Sequence, residues 1–226
     1  LATHAGYAGT DYHTEQITYM NAHQTVDLFG VTAYMAPDSI DGSYVQYSAE
    51  QIHSLVKSRA SAVTQRTKVI ADVATSYGVA TAVYEGGPGL VEDGVIGGAQ
   101  PTGAVTENLI AANRHPGMAD VLDAFFDEFE SSGGGVLGNA DQPFMYFAGP
   151  SAAYSRYGSW GMQEFTDQPI EQAPKYRSVA SRISQHAEAS GATPATGACV
   201  TAERLRSSSP LEDLFDATGA YTQRFS

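Results

Sequence analysis

With 226 residues, 42% of them hydrophobic and 16% charged, the chain has enough apolar material for a real core and reads as a soluble globular protein. Its formal net charge of -13 excludes nucleic acid and anionic membrane as partners, because both would be repelled. Cys199 is the single cysteine, so an internal disulfide is excluded; the histidines lack metal-ligand spacing, and no apolar run of membrane-spanning length occurs.

Residues 1–8, LATHAGYA, begin like the end of a strand and run into a Gly9-Thr10-Asp11 loop. The chain opens at Leu1 without an initiator methionine or a signal peptide, which fits a piece of something longer or a processed product. From Thr14, the residues Ile17, Met20 and Val26 fall at roughly helical spacing. A near-continuous apolar strand follows over 26–35, VDLFGVTAYM, with Tyr34 at its exit.

Ser48 and Gln51 have the spacing of a capping box, and Ile52, Leu55, Val56 and Val63 then line one helical face. That pattern runs to Tyr77 with Gly78 as its stop, and a break is expected near Thr67. Residues 79–85 form the next strand, small and β-branched, with one carboxylate, Glu85, at its exit. Buried parallel strands exclude unpaired carboxylates, whereas the C-terminal ends of such strands are where α/β enzymes hold reacting groups. Glu85 is therefore either a functional group or a plain strand-end acid beside a turn. Gly86 and Gly87 would let backbone and substrate come close beside it, and Pro88 would stiffen the turn.

A long Gly-rich loop over 86–103 is expected to be functional on length alone. Its Glu92 and Asp93 read as a solvated tip in preference to a calcium site. Helix signals resume at Thr106, stop at His115-Pro116-Gly117, and restart as a stripe of Met118, Val121, Leu122, Phe125, Phe126 and Phe129, which is core. Residues 143–149, PFMYFAG, are the fourth strand, followed by a loop with Tyr154, Tyr157 and Trp160. Glu164 and Asp167 in that loop read as solvated or bonded to its own backbone. Pro174 opens a last helix carrying Tyr176, Val179 and Ile183. From about Glu188 the composition turns to that of a linker, and a further element starts near the C-terminus.

Strand and helix signals alternate, which specifies right-handed β-α-β units and a parallel sheet. A closed (β/α) barrel takes eight strands, and this chain supplies half of that number. The succession VDLFGVTAYM, VYEGGPG, NRHPGM and YGSWGMQEFTDQPIEQAPKYRSV resembles the C-terminal half of the barrel in clan A glycoside hydrolase-like proteins, in particular a secreted bacterial and algal group with a YEGG motif.

The resemblance implies a TIM-type (β/α) barrel of which residues 1–187 supply about strands five to eight, with 188–226 as linker and the start of a further element. It implies that Glu85 is the nucleophile of a retaining mechanism, that Tyr34 orients this carboxylate, and that Trp160 is a platform for a sugar ring. The family's acid/base glutamate, in an Asn-Glu pair at the end of strand four, has no counterpart here, so another chain or segment completing the barrel is implied. The substrate is then a polysaccharide or other glycan, with no cofactor and no metal, and the setting is extracellular or the cell surface.

For several residues two readings stay open. Trp160 is a core tryptophan or a stacking surface; Tyr34 touches substrate or plugs the strand exit; Tyr154 and His4 are substrate contacts or structural side chains. The function is open in the same way: glycoside hydrolysis, or a non-catalytic structural or carbohydrate-binding barrel in an extracellular assembly in which YEGG is inherited.

Overall fold

The computed structural model describes residues 1–4, 9–95, 102–131, 143–154 and 158–189. Three parallel strands, β1 (Leu28–Met35), β2 (Ala80–Pro88) and β3 (Phe144–Tyr146), form one sheet in the order β1-β2-β3. Helices α2 (Ala49–Lys57) and α3 (Ala60–Ser76) connect β1 to β2, and α4 (Gly103–Arg114) and α5 (Met118–Ser131) lie between β2 and β3. Helix α1 (Thr10–Thr18) precedes β1, and α6 (Pro174–Ala189) is the last described element. Leu1–Ile183 is one compact unit, and a second unit starts at Ser184. The stretch read from sequence as linker lies, from residue 190 on, outside the described residues.

The expected TIM-type barrel is not what the chain forms. Its sheet is open and three-stranded, and among the described residues β3 pairs with β2 alone and ends the sheet. Residues 1–4 add a single parallel bridge, Ala2 to Gly30, in which Thr3 N–H donates to Gly30 O and Gly30 N–H to Leu1 O. A barrel requires every strand to be bonded along both edges at a common tilt and stagger. Alternating strands and helices are shared by all parallel α/β sheets, open or closed, so that signal cannot tell the two apart.

Alternation along β1 divides the sheet into two faces. Phe29, Val31, Ala33 and Met35 are fully buried and join Val83, Ile70, Leu109, Leu122 and Phe125 in one apolar core with the helices. Gly30, Thr32 and Tyr34 point the other way, onto the face away from that core. Helix α5 anchors β3: the rings of Phe125, Phe126 and Phe129 meet Phe144 edge-on at 6.0, 5.6 and 5.5 Å.

Local signals set the helix limits where they are strong. Ser48 and Gln51 close both halves of a capping box at the start of α2. The break in the following helical stretch falls at Ser58 and Arg59, not near Thr67. Ser58 Oγ donates to Leu55 O at 2.7 Å and competes with the helix ladder, whereas Thr67 Oγ1 donates to Val63 O inside an unbroken α3. Met20, expected on an apolar helical face, is 83% exposed in a 3-10 turn and has φ 49°.

Candidate functional site

The site is built by one extra residue in β2. Val31 of β1 opposes Val83, and the next residue, Thr32, opposes Glu85, so Tyr84 is unmatched. The β2–β3 register shifts at the same place, between Val83 and Gly86. Strict alternation from Val83 would send the Glu85 side chain into the apolar core, where an unpaired carboxylate is prohibitively costly. The bulge moves Glu85 onto the face of its partner Thr32, and Tyr84 shares that face, its ring lying against Gly30. Both side chains are half-buried.

Tyr34, two residues beyond Thr32 on β1, stands close enough to Glu85 for its phenol to feel the carboxylate's charge. Burial first, then the neighbouring negative charge of Glu85, push the Tyr34 pKa well above its ordinary value, so the phenol stays protonated. Tyr84 is shifted upward as well, by burial and by the Glu85 charge. The Tyr34 ring meets Trp160 at 4.9 Å and Phe147 at 6.2 Å, and Phe147 meets Trp160 at 6.1 Å, all edge-to-face. Tyr146 donates to Trp160 O at 3.4 Å from below this group. Glu85, Tyr34 and Trp160, separated by up to 126 positions in sequence numbering from 34 to 160, thus share one cluster.

From the sequence Gly86 and Gly87 are expected to let a substrate come close, but the space they leave is taken by the neighbouring strands. They lie inside β2 and make room for the neighbouring strand: a Cβ on Gly86 would stand 2.7 Å from Ala33 O and 2.8 Å from Phe144, and one on Gly87 2.8 Å from the Tyr146 ring. The Ala33 oxygen is sheet backbone and cannot swing aside. Gly86→Ala is therefore expected to cost about 1–3 kcal/mol, read as a lower urea midpoint, and an unchanged midpoint would refute this packing.

The three motifs singled out in the sequence meet in space. Arg114 of NRHPGM grips Glu164 of the Trp160 loop through Nε and an Nη at 2.6 and 2.8 Å, and this pairing holds the Glu164 carboxyl below its ordinary range. Gly89 of VYEGGPG packs under the Trp160 ring, 3.6 Å from where its own Cβ would be. His115 Nδ1 accepts from Gly117 N–H, so the His-Pro-Gly break is a turn held by its own histidine.

Other expectations fare differently. Tyr154 turns its phenol toward Glu92 and Thr106 and packs on the core, and Tyr157 lies outside the described residues. His4 is exposed and, by alternation from Ala2, falls on the Glu85 face. Glu92 and Asp93 are no solvated tip: Glu92 is 8% exposed and accepts from Thr102 N–H, and Asp93 accepts from Ile40 N–H and Ser39 Oγ. They pin the loop. Among the described residues no group of acidic, histidine or cysteine side chains is arranged to hold a metal ion.

Sequence reasoning passed over Tyr84, Phe147 and Lys175. An aromatic beside a strand-end acid, and a second in PFMYFAG, were the available signals for the first two. Lys175, in the first turn of α6, is 4% exposed, donates to Ser159 O at 3.2 Å, and is pushed by burial down to about 7. It lines a cavity of about 20 Å³ with Asn113, Arg114 and Glu164. None of the Glu85 cluster lines that cavity.

Comparison with protein-family models, with curated proteins and with solved structures yields no match. No described helix is long and apolar enough to cross a membrane.

Proposed function

We propose that the protein acts on a polysaccharide at the Glu85 face, with Glu85 as the nucleophile of retaining glycoside hydrolysis. One observation carries this reading: a carboxylate at a bulge, beside a phenol and bordered by exposed or half-exposed aromatic rings. In that reaction a Glu85 oxygen attacks the anomeric carbon as the glycosidic bond breaks, the leaving oxygen takes a proton from a second carboxyl group, and water then releases the sugar. Tyr34 stands beside the carboxylate, and Trp160 and Phe147 offer flat apolar surface to a sugar ring.

The second carboxyl has to stand about 5 to 5.5 Å from the first. Glu92, Asp93 and Glu164 are each held by partners of their own, so its source is another segment or another chain. The same observation favours one alternative, a non-catalytic carbohydrate-binding protein that uses this face without cleaving. Either role goes with an extracellular or cell-surface setting.

The test is hydrolysis and binding across glucans, mannans, galactans and algal polysaccharides, with the anomeric form of any product followed by NMR. Release of sugar with retained configuration supports the first reading; inversion excludes Glu85 as nucleophile, and binding without cleavage selects the alternative. On a cleaved substrate, Trp160→Ala is expected to raise KM at least as much as it lowers kcat, because a stacking surface serves ground state and transition state alike. A fall in kcat at constant KM would take Trp160 out of the binding surface.

A further inference from the structure

The Glu85 face is distinguished by what charge it carries. Every described lysine and arginine belongs to the helical layer: Arg59 pairs with Asp38, Lys68 with Asp72, Arg114 with Glu164, and Arg182 with Asp127 and Glu130. Lys175 is buried behind the Trp160 loop, and Lys57, Arg66 and Arg177 are residues of α2, α3 and α6. On the sheet face away from them Thr32 is buried, Tyr34, Tyr84 and Glu85 are half-buried, and Phe147 is exposed, as is His4 of the N-terminal segment beside β1. Arg156, in the loop before Trp160, and Arg204, Arg206 and Arg224 lie outside the described residues.

An anionic sugar chain, carboxylated or sulfated, would meet Glu85 without a described lysine or arginine to offset it, on a protein whose net charge is already -13. An uncharged chain meets no such penalty. The layout of the face suits one: the Tyr84 ring lies level with Gly30, Glu85 with Thr32, and Tyr34 with Gly87. At about 3.3 Å per residue, aromatic surface thus flanks the carboxylate along the strand on both sides, Tyr84 on one and Tyr34 with Trp160 on the other.

Resting on the polysaccharide reading above, we propose that this face takes an uncharged glycan and that Tyr84, the bulge residue, forms the second aromatic wall of its site. The flat face of Tyr84 would cover the apolar C–H face of one sugar unit, while Tyr34 and Trp160 cover the next.

Affinity electrophoresis of the full chain tests this, with gels containing β-glucan, galactomannan or agarose as uncharged polymers and alginate or carrageenan as anionic ones. The expected result is retardation by at least one uncharged polymer, undiminished in 0.5 M salt, and no retardation by the anionic ones. Tyr84→Ala should weaken the interaction about tenfold while Tyr84→Phe stays within about twofold of the parent, since the ring and not the hydroxyl makes the wall. Tyr84→Leu, which still fills the space over Gly30, serves if the alanine variant fails to fold. Retardation by alginate or carrageenan alone overturns the inference and leaves the polysaccharide reading standing. Retardation by none of the polymers overturns both. A folded Tyr84→Leu that binds like the parent removes Tyr84 from the site.

Discussion

Glu85→Gln is expected to lower turnover on a cleaved polysaccharide by about a thousandfold or more, with the fold and glycan binding kept. The amide matches the carboxylate in shape, and the Tyr34–Trp160 ring contact does not involve Glu85, so the cluster around Trp160 retains its geometry. Under the proposed mechanism, what is lost is the anionic oxygen that would form the glycosyl bond. Such a loss acts on the transition state alone, so kcat and kcat/KM should fall together while KM changes little. Steady-state kinetics beside near-ultraviolet circular dichroism decides the matter. A folded Glu85→Gln protein with parental turnover would end the nucleophile assignment.

Phe125→Ala should destabilise the fold by about 3–5 kcal/mol, a large part of the whole stability of a domain this size. Phe125 is fully buried and its ring meets Phe129 at 4.8 Å and Phe144 at 6.0 Å, so truncation removes both apolar burial and the contacts that dock β3 on α5. Since β3 leads directly to Phe147 and the Trp160 loop, the site should loosen with the core. Urea unfolding measures this as a lower midpoint at similar slope. Ile183→Ala, at a side chain 65% exposed, is the control and should stay within about 0.5 kcal/mol of the parent. Equal midpoints for the two variants would contradict the packing described for α5.

By itself the sequence determined two of the strands, one helix cap and the choice of a candidate acid. Apolar runs marked 26–35 and 79–85, whose observed counterparts are Leu28–Met35 and Ala80–Pro88, because strands buried on the helix side must be apolar. Ser48 with Gln51 marked the start of α2, because a cap is satisfied within four residues. Glu85 stood out because a carboxylate at the end of such a strand needs a reason. Tertiary structure alone decided that the sheet is open and three-stranded, since sheet closure depends on how distant strands register and tilt, which no local pattern records. It alone assigned the Gly86–Gly87 pair to strand packing, through the Ala33 oxygen and the Phe144 and Tyr146 rings that occupy the space. The bulge at Tyr84 is of the same kind: it exists only as a mismatch between two strands, and that mismatch turns Glu85 out of the core and into the cluster with Tyr34.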